Sequence, residues 1–139
     1  HTAVLDICKW GTDDGDQKMK SRYYPHIDKA KVFGDHYVRD FSEHSRGVAV
    51  DVSLLYAKTG KPVDMGGHHD LLDPSSATDS TLVTPSQRRN RMILKTAFEK
   101  QGFANYAPEW WHYRLLNEPE PTLHYYFPVW DGMTSAGRP

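Results

Sequence analysis

The sequence predicts a mixed chain of helices and short strands, and three observations carry that expectation. A Val-rich run from Gly47 to Tyr56 alternates as a strand does, a capped amphipathic segment opens at Thr84, and a second alternating run spans Trp110 to Leu116. With 139 residues the chain is long enough for one domain with a real core. Residues 1–139 are therefore read as a single domain, with a tail over 131–139.

The first ten residues include Ala3, Val4, Leu5, Ile7, Cys8 and Trp10, a pattern that suits a short amphipathic helix. Gly11-Thr12-Asp13-Asp14-Gly15-Asp16 breaks it as a turn-rich loop. Tyr23 to Val38 reads as irregular, punctuated by Pro25 and Gly34. In the strand that follows, alternation puts Val48, Val50 and Val52 on one face. Gly47, Ala49, Asp51 and Ser53 take the other, so small residues flank a single carboxylate. Lys58-Thr59-Gly60-Lys61 is a hairpin-like turn and Pro62 to Met65 a short return. Residues 66 to 84 form a long polar loop, and loops of that length are often functional.

Thr84 is the expected N-cap of the next helix, with Pro85 at its first position and Gln87 completing a capping box. Met92, Ile93, Ala97 and Phe98 supply its apolar stripe, and Gly102 is the stop. Phe103 to Tyr106 is a short strand. In the last strand His112, Arg114 and Leu116 lie opposite Trp111, Tyr113 and Leu115, and alternation buries at least one of Trp110 and Trp111.

Seventeen Lys and Arg against eighteen Asp and Glu leave a formal net charge of -1. No basic excess argues for nucleic acid, and no apolar stretch approaches the roughly 18 residues that a bilayer span needs. Cys8 is the only cysteine, which excludes an intramolecular disulfide and favours a packed side chain. The sequence opens on His1 with neither an initiator Met nor a signal peptide, as a processed protein or a fragment would.

Chemistry concentrates in Ser42-Glu43-His44-Ser45-Arg46-Gly47-Val48-Ala49-Val50-Asp51 and in Glu109-Trp110-Trp111-His112. Two imidazoles, one carboxylate for a metal and a second carboxylate beside it are the inventory of a zinc hydrolase: three protein ligands, an open position for water and a general base. His44 and Asp51 lie too far apart for one helical turn, but they converge if the chain bends at Gly47. His112 would come from a neighbouring strand, with Glu109 at the strand entry, facing the water without binding the metal.

Eight histidines are enough for some to be incidental. Asp51 inside an apolar strand tips the balance, because an unpartnered buried carboxylate is costly. His68-His69-Asp70 is a second metal candidate. Adjacent histidines diverge, so His68 and His69 are read as an exposed polar loop. His26, His36 and His124 are read as surface residues. Ser42, Ser45 and Ser53 permit a Ser-His-Asp triad on paper, but no nucleophile-elbow motif supports one.

These residues resemble the D-Ala-D-Ala dipeptidases of the glycopeptide-resistance type, a branch of the zinc D,D-peptidases. That family's pattern is Ser-x-His-x-x-Gly-x-Ala-x-Asp followed by Glu-x-Trp-His. It is matched here by Ser42, His44, Gly47, Ala49 and Asp51, then Glu109, Trp111 and His112. Tyr23-Tyr24-Pro25, Asp64-Met65-Gly66, Asp70, Asn90-Arg91 and Glu118-Pro119 fall at family-like places, so the likeness runs to about Pro128.

The resemblance implies an α+β fold, with an antiparallel sheet carrying a zinc site and helices packed outside. It implies one Zn2+ per chain on His44, Asp51 and His112, and Glu109 as the catalytic base. Asp70 would receive a dipeptide's ammonium group, and Ser42 would line the substrate pocket. The implied reaction is hydrolysis of D-alanyl-D-alanine, with a D,D-carboxypeptidase, a peptidoglycan endopeptidase or a weakly active zinc-binding module as alternatives. The implied partner is a small D,D-dipeptide, with neither nucleic acid nor membrane. The implied compartment is the cytoplasm, with periplasm or secretion as alternatives.

The family also carries an N-terminal portion ending in Tyr-Arg-Pro, whose Arg steadies the developing oxyanion. This sequence is expected to begin just after it, which makes the chain a fragment, a protein completed by another chain, or a weakened enzyme. Arg138-Pro139 echoes Arg-Pro by chance, and Arg114 can approach the metal face without an assigned role.

Overall fold

A computed structural model describes residues 2–34, 42–119 and 122–125. His36, Val38 and the tail, including Arg138 and Pro139, lie outside the described residues. The architecture is α+β, a three-stranded antiparallel sheet with helices around it. The strands are β1 (Ala49–Asp51), β2 (Phe103–Asn105) and β3 (His112–Leu115), in the order β1-β3-β2. The helices are α1 (Thr2–Gly11), α2 (Lys20–Tyr23), α3 (Lys29–Gly34) and α4 (Pro85–Glu99). None among the described residues is long and apolar enough to cross a membrane.

Register fixes the two faces of the sheet. Asp51 pairs with His112, Val50 with Tyr113 and Ala49 with Arg114, while Phe103 pairs with Leu115 and Ala104 with Arg114. One face therefore presents Asp51, His112 and Arg114 with two alanines. The other presents Tyr113, Phe103 and Leu115, on which α4 packs through Phe98. The Phe98 ring lies 4.6 Å from that of Tyr113 and 5.3 Å from that of Phe103. Met65, Leu94, Trp110, Trp111 and Tyr113 form the buried centre, joined at its margin by Val52, Leu54 and Val63. Both tryptophans are buried, edge to face at 5.3 Å.

Helix α4 starts as its sequence requires. The Thr84 hydroxyl accepts from the Gln87 amide, and the Gln87 side chain accepts from the Thr84 amide, a complete capping box with Pro85 behind it. The expected stripe is corrected, because Met92 and Ile93 are exposed and Ala97 is too. Leu94 and Arg91 are the buried residues, and Phe98 is half-buried. The inward face thus runs through 87, 91, 94 and 98, and an arginine occupies its middle.

Arg91 is fully buried because backbone carbonyls surround it. Its Nε donates to Met65 O at 2.7 Å, and its Nη1 donates to Ser75 O and Ala77 O, each at 2.7 Å. Burial pulls its pKa down to about 10, with Asp64 opposing, so it stays charged at neutral pH. The long loop before α4 is thereby tied down at 65 and again at 75–77.

The strand expected over 47–56 shortens to β1, and Val50 is 40% exposed rather than buried with Val48. It sits on an edge strand, whereas α4 packs chiefly against β2 at the far side of the sheet. The turn at 58–61 closes as expected. Tyr56 N donates to Lys61 O at 2.9 Å, Gly60 takes a left-handed φ of 65°, and Leu55 bridges Pro62. Part of the stretch expected to be irregular, 29–34, is helical as α3. Lys29 anchors it, donating its ammonium to Asp13 O and Asp16 O while lying 3.9 Å from the centre of the Trp10 ring. His26 is exposed, as expected of a surface residue, but it has a partner, its Nδ1 lying 2.6 Å from Asp73 Oδ2.

Candidate metal centre

His44 is delivered by a short 3-10 turn over Glu43–Arg46. Ser42 caps the turn, its hydroxyl accepting from the His44 amide at 3.2 Å. Gly47 ends it at a φ of 71°, a left-handed conformation that glycine adopts without a Cβ penalty, and turns the chain into β1. The bend expected there is therefore a helix cap and not a bulge. Asp51 then comes from the end of β1 and His112 from the start of β3, directly across the ladder.

The three ligand atoms form a nearly equilateral triangle. His44 Nε2 is 3.1 Å from His112 Nδ1 and 3.5 Å from Asp51 Oδ1, and His112 Nδ1 is 3.2 Å from Asp51 Oδ1. Ligands about 2.0–2.1 Å from a tetrahedral zinc ion stand about 3.3 Å apart, so these residues fit such an ion on three corners. These are the three residues that could together hold a metal ion among those described.

Glu109 stands beside the triangle without joining it. Its Oε2 is 3.8 Å from His112 Nδ1, too far for a hydrogen bond. Its backbone is pinned by Glu109 N to Tyr106 O at 2.9 Å and by the Asn105 side chain, which donates to both Glu109 O and His112 O. Burial raises the Glu109 pKa to about 7; the nearby His112 charge opposes, while Asp51 and Asp70 add to the rise. For His112, burial alone would lower the imidazole. The hydrogen bond and charge of Asp51, followed by Glu109 and Glu43, hold it above its usual value instead.

These groups open on a cleft of about 770 Å³. Ser42, Asp70, Glu43 and Arg114 share its wall with the metal-binding triangle, and Val4, Ile7 and Trp10 of α1 give it an apolar side. Asp70 is the one non-glycine among the described residues with a positive φ, 61°. Aspartate tolerates that region better than most residues, and such outliers gather at functional sites. The loop around it is stitched to α2 by Leu72 N to Tyr23 O at 2.6 Å and His68 Nε2 to Arg22 O at 2.9 Å. His68 and His69 are exposed, as expected, and take no part in the metal triangle.

Glu43 was not singled out from sequence, although it lies inside the motif. Its carboxylate stands 3.7 Å from His112 Nε2 and 3.5 Å from both Arg46 Nη2 and Arg114 Nε. Arg46 in turn grips Glu118 with Nε at 2.6 Å and Nη2 at 3.0 Å, a two-point bond that fastens the 3-10 turn to the chain beyond β3.

A small antiparallel sheet brings two histidines and an aspartate together into a triangle that could hold a metal ion, with a buried glutamate alongside, which defines the protein as an α+β domain with a candidate metal centre. The match to known proteins narrows that class. The chain belongs to the peptidase family described as D-Ala-D-Ala dipeptidase, whose model matches residues 2–130. It is 42% identical over 127 residues to the D-alanyl-D-alanine dipeptidase of Streptomyces coelicolor, covering 91% of this chain and 63% of that protein. It is 35% identical over 128 residues to the enzyme of the same name from Enterococcus faecalis, covering 92% of this chain and 63% of that one. The Enterococcus faecium protein is 36% identical over 127 residues. The chain thus spans 63% of the length of these relatives.

Proposed function

We propose that this protein is a zinc-dependent D-alanyl-D-alanine dipeptidase, with His44, Asp51 and His112 holding the metal. The observation that carries this reading is the triangle of ligand atoms at 3.1–3.5 Å with Glu109 standing 3.8 Å from one corner. Bound there, zinc supplies Lewis-acid polarisation of the scissile carbonyl and a lowered pKa for water. Glu109 takes the proton of the attacking water and returns it to the leaving amine. Its burial, which disfavours the charged carboxylate, favours a group that can hold the proton between the two transfers.

Asp70, which lines the same cleft, receives the substrate's ammonium group. Its strained backbone and its stitched loop support a fixed carboxylate at that place. Ser42 shapes the pocket and holds the turn that presents His44. A carboxylate facing the free amino end selects dipeptides over longer peptides, since an amide nitrogen there would bring no charge.

Zinc content and hydrolysis of D-Ala-D-Ala, measured together, test the proposal. The wild type should bind one zinc per chain and release D-alanine. Loss of the metal from a His44→Ala variant without loss of activity would sink the ligand assignment. Cleavage of amino-terminally extended peptides as fast as the dipeptide would sink the role of Asp70.

A further inference from the structure

Arg114 sits on the metal-bearing face of the sheet, two residues beyond His112 on the central strand, about 6.6 Å along it. Its neighbours across both ladders are alanines, Ala49 on β1 and Ala104 on β2, which leave the sheet around its base uncrowded. The side chain is 46% exposed and lines the same cleft as the metal triangle. Among the described residues lining that cleft it is the one permanent cation, sharing the wall with the carboxylates of Glu43, Asp51, Asp70 and Glu109. Its ion pair among those residues is with Glu43, at 3.5 Å on the Nε side, longer than a good charge-assisted hydrogen bond. Among the described residues nothing else pairs with its planar fork of terminal N–H groups, which can meet a ligand.

A small peptide bound whole in this cleft is a zwitterion, and its two ends need opposite partners. Resting on the dipeptidase reading above, we propose that Arg114 binds the α-carboxylate of the substrate, and so sets the requirement for a free carboxyl end. The guanidinium matches a carboxylate in two-point geometry. Glu43 orients it from the side, because the same carboxylate also faces Arg46 and His112. Asp70 and Arg114 then measure the peptide from its two ends, with the scissile bond between them beside Glu109 and the metal ligands.

The test compares D-Ala-D-Ala with its carboxyl-terminal amide on zinc-loaded wild type, Arg114→Gln and Arg114→Lys. A charge-assisted two-point bond predicts that wild type favours the free acid by roughly 10- to 100-fold in kcat/KM. Arg114→Gln should lose that preference through a higher KM for the acid, with the amide unaffected, and Arg114→Lys should regain part of it. Equal losses on acid and amide would assign Arg114 to the reacting centre and overturn the proposal, as would an unchanged preference. If zinc-loaded wild type cleaves neither compound, the dipeptidase reading fails. Calorimetric titration of both compounds then decides the binding role alone: tighter binding of the acid that Arg114→Gln abolishes supports it, and its absence overturns it.

Discussion

Asp51 and His112 are cross-strand partners in the β1–β3 ladder, and their ligand atoms stand 3.2 Å apart. Two corners of the metal triangle are therefore set by backbone pairing, and His44 alone arrives by way of a loop. A metal held by this preformed pair binds the folded chain and not the unfolded one. Zinc at about 1,000 times its Kd should then add about 4 kcal/mol of stability. Thermal melting with and without zinc checks this, and the expected rise should vanish in Asp51→Ala.

Glu109 contributes no corner of the triangle, so metal binding and catalysis should separate in its variants. Glu109→Gln should keep its zinc and lose about 100- to 10,000-fold in kcat, the range typical of a lost general base. Metal analysis of the same sample used for kinetics reads both quantities. A variant that loses the zinc as well would place Glu109 among the ligands.

Arg91 donates to three buried carbonyls from two stretches of loop. Replacing it with Met leaves Met65 O, Ser75 O and Ala77 O without those donors, which should cost about 3 kcal/mol or more in urea unfolding. Arg91→Lys should recover only part, because one ammonium cannot span the places that the planar guanidinium reaches.

Asp73 caps the 3-10 turn over Pro74–Ser76 and pairs with His26. Burial works against its ionised form, but hydrogen bonds from Ser75 and from His26 outweigh it, and its pKa is lowered. A carboxyl whose folded pKa lies below the unfolded one stabilises the fold above the unfolded value. That stability is lost as pH falls through the folded pKa. The stability difference between wild type and Asp73→Asn should be present at about pH 5 and shrink as pH falls below about 4. Denaturant midpoints across that range provide the measurement.

Local chemistry was the most legible part of the sequence. The Thr84 capping box, the turn at Gly60 and the two short strands after α4 depend on residues within a few positions of one another, and each forms where expected. The convergence of His44, Asp51 and His112 was legible from the residue types and their spacing. The expectation that burial forces a partner on Asp51 is corrected, because Asp51 is exposed at the end of an edge strand. Long-range accommodation was not legible. Arg91 counts as polar in any periodicity, and only carbonyls 14 to 26 residues away make its burial tolerable. His26 and Asp73 meet across 47 positions with no motif to announce them. Val50 alternates correctly but falls on an edge strand, where the helix that covers the sheet is seated elsewhere.

The anchoring of the 65–77 loop has a further consequence. Arg91 holds both footings, at 65 and at 75–77, while Asp70 stands on the span between them. The span has ties of its own, from Leu72 and His68 to α2, while the three residues of the triangle lie on separate elements of the chain. Asp70 nevertheless acts on the site, since its charge adds to the rise of the Glu109 pKa. A rebuilt span would therefore shift a carboxylate relative to Glu109, so a change in this loop would register in the cleft without touching any of the three residues of the triangle.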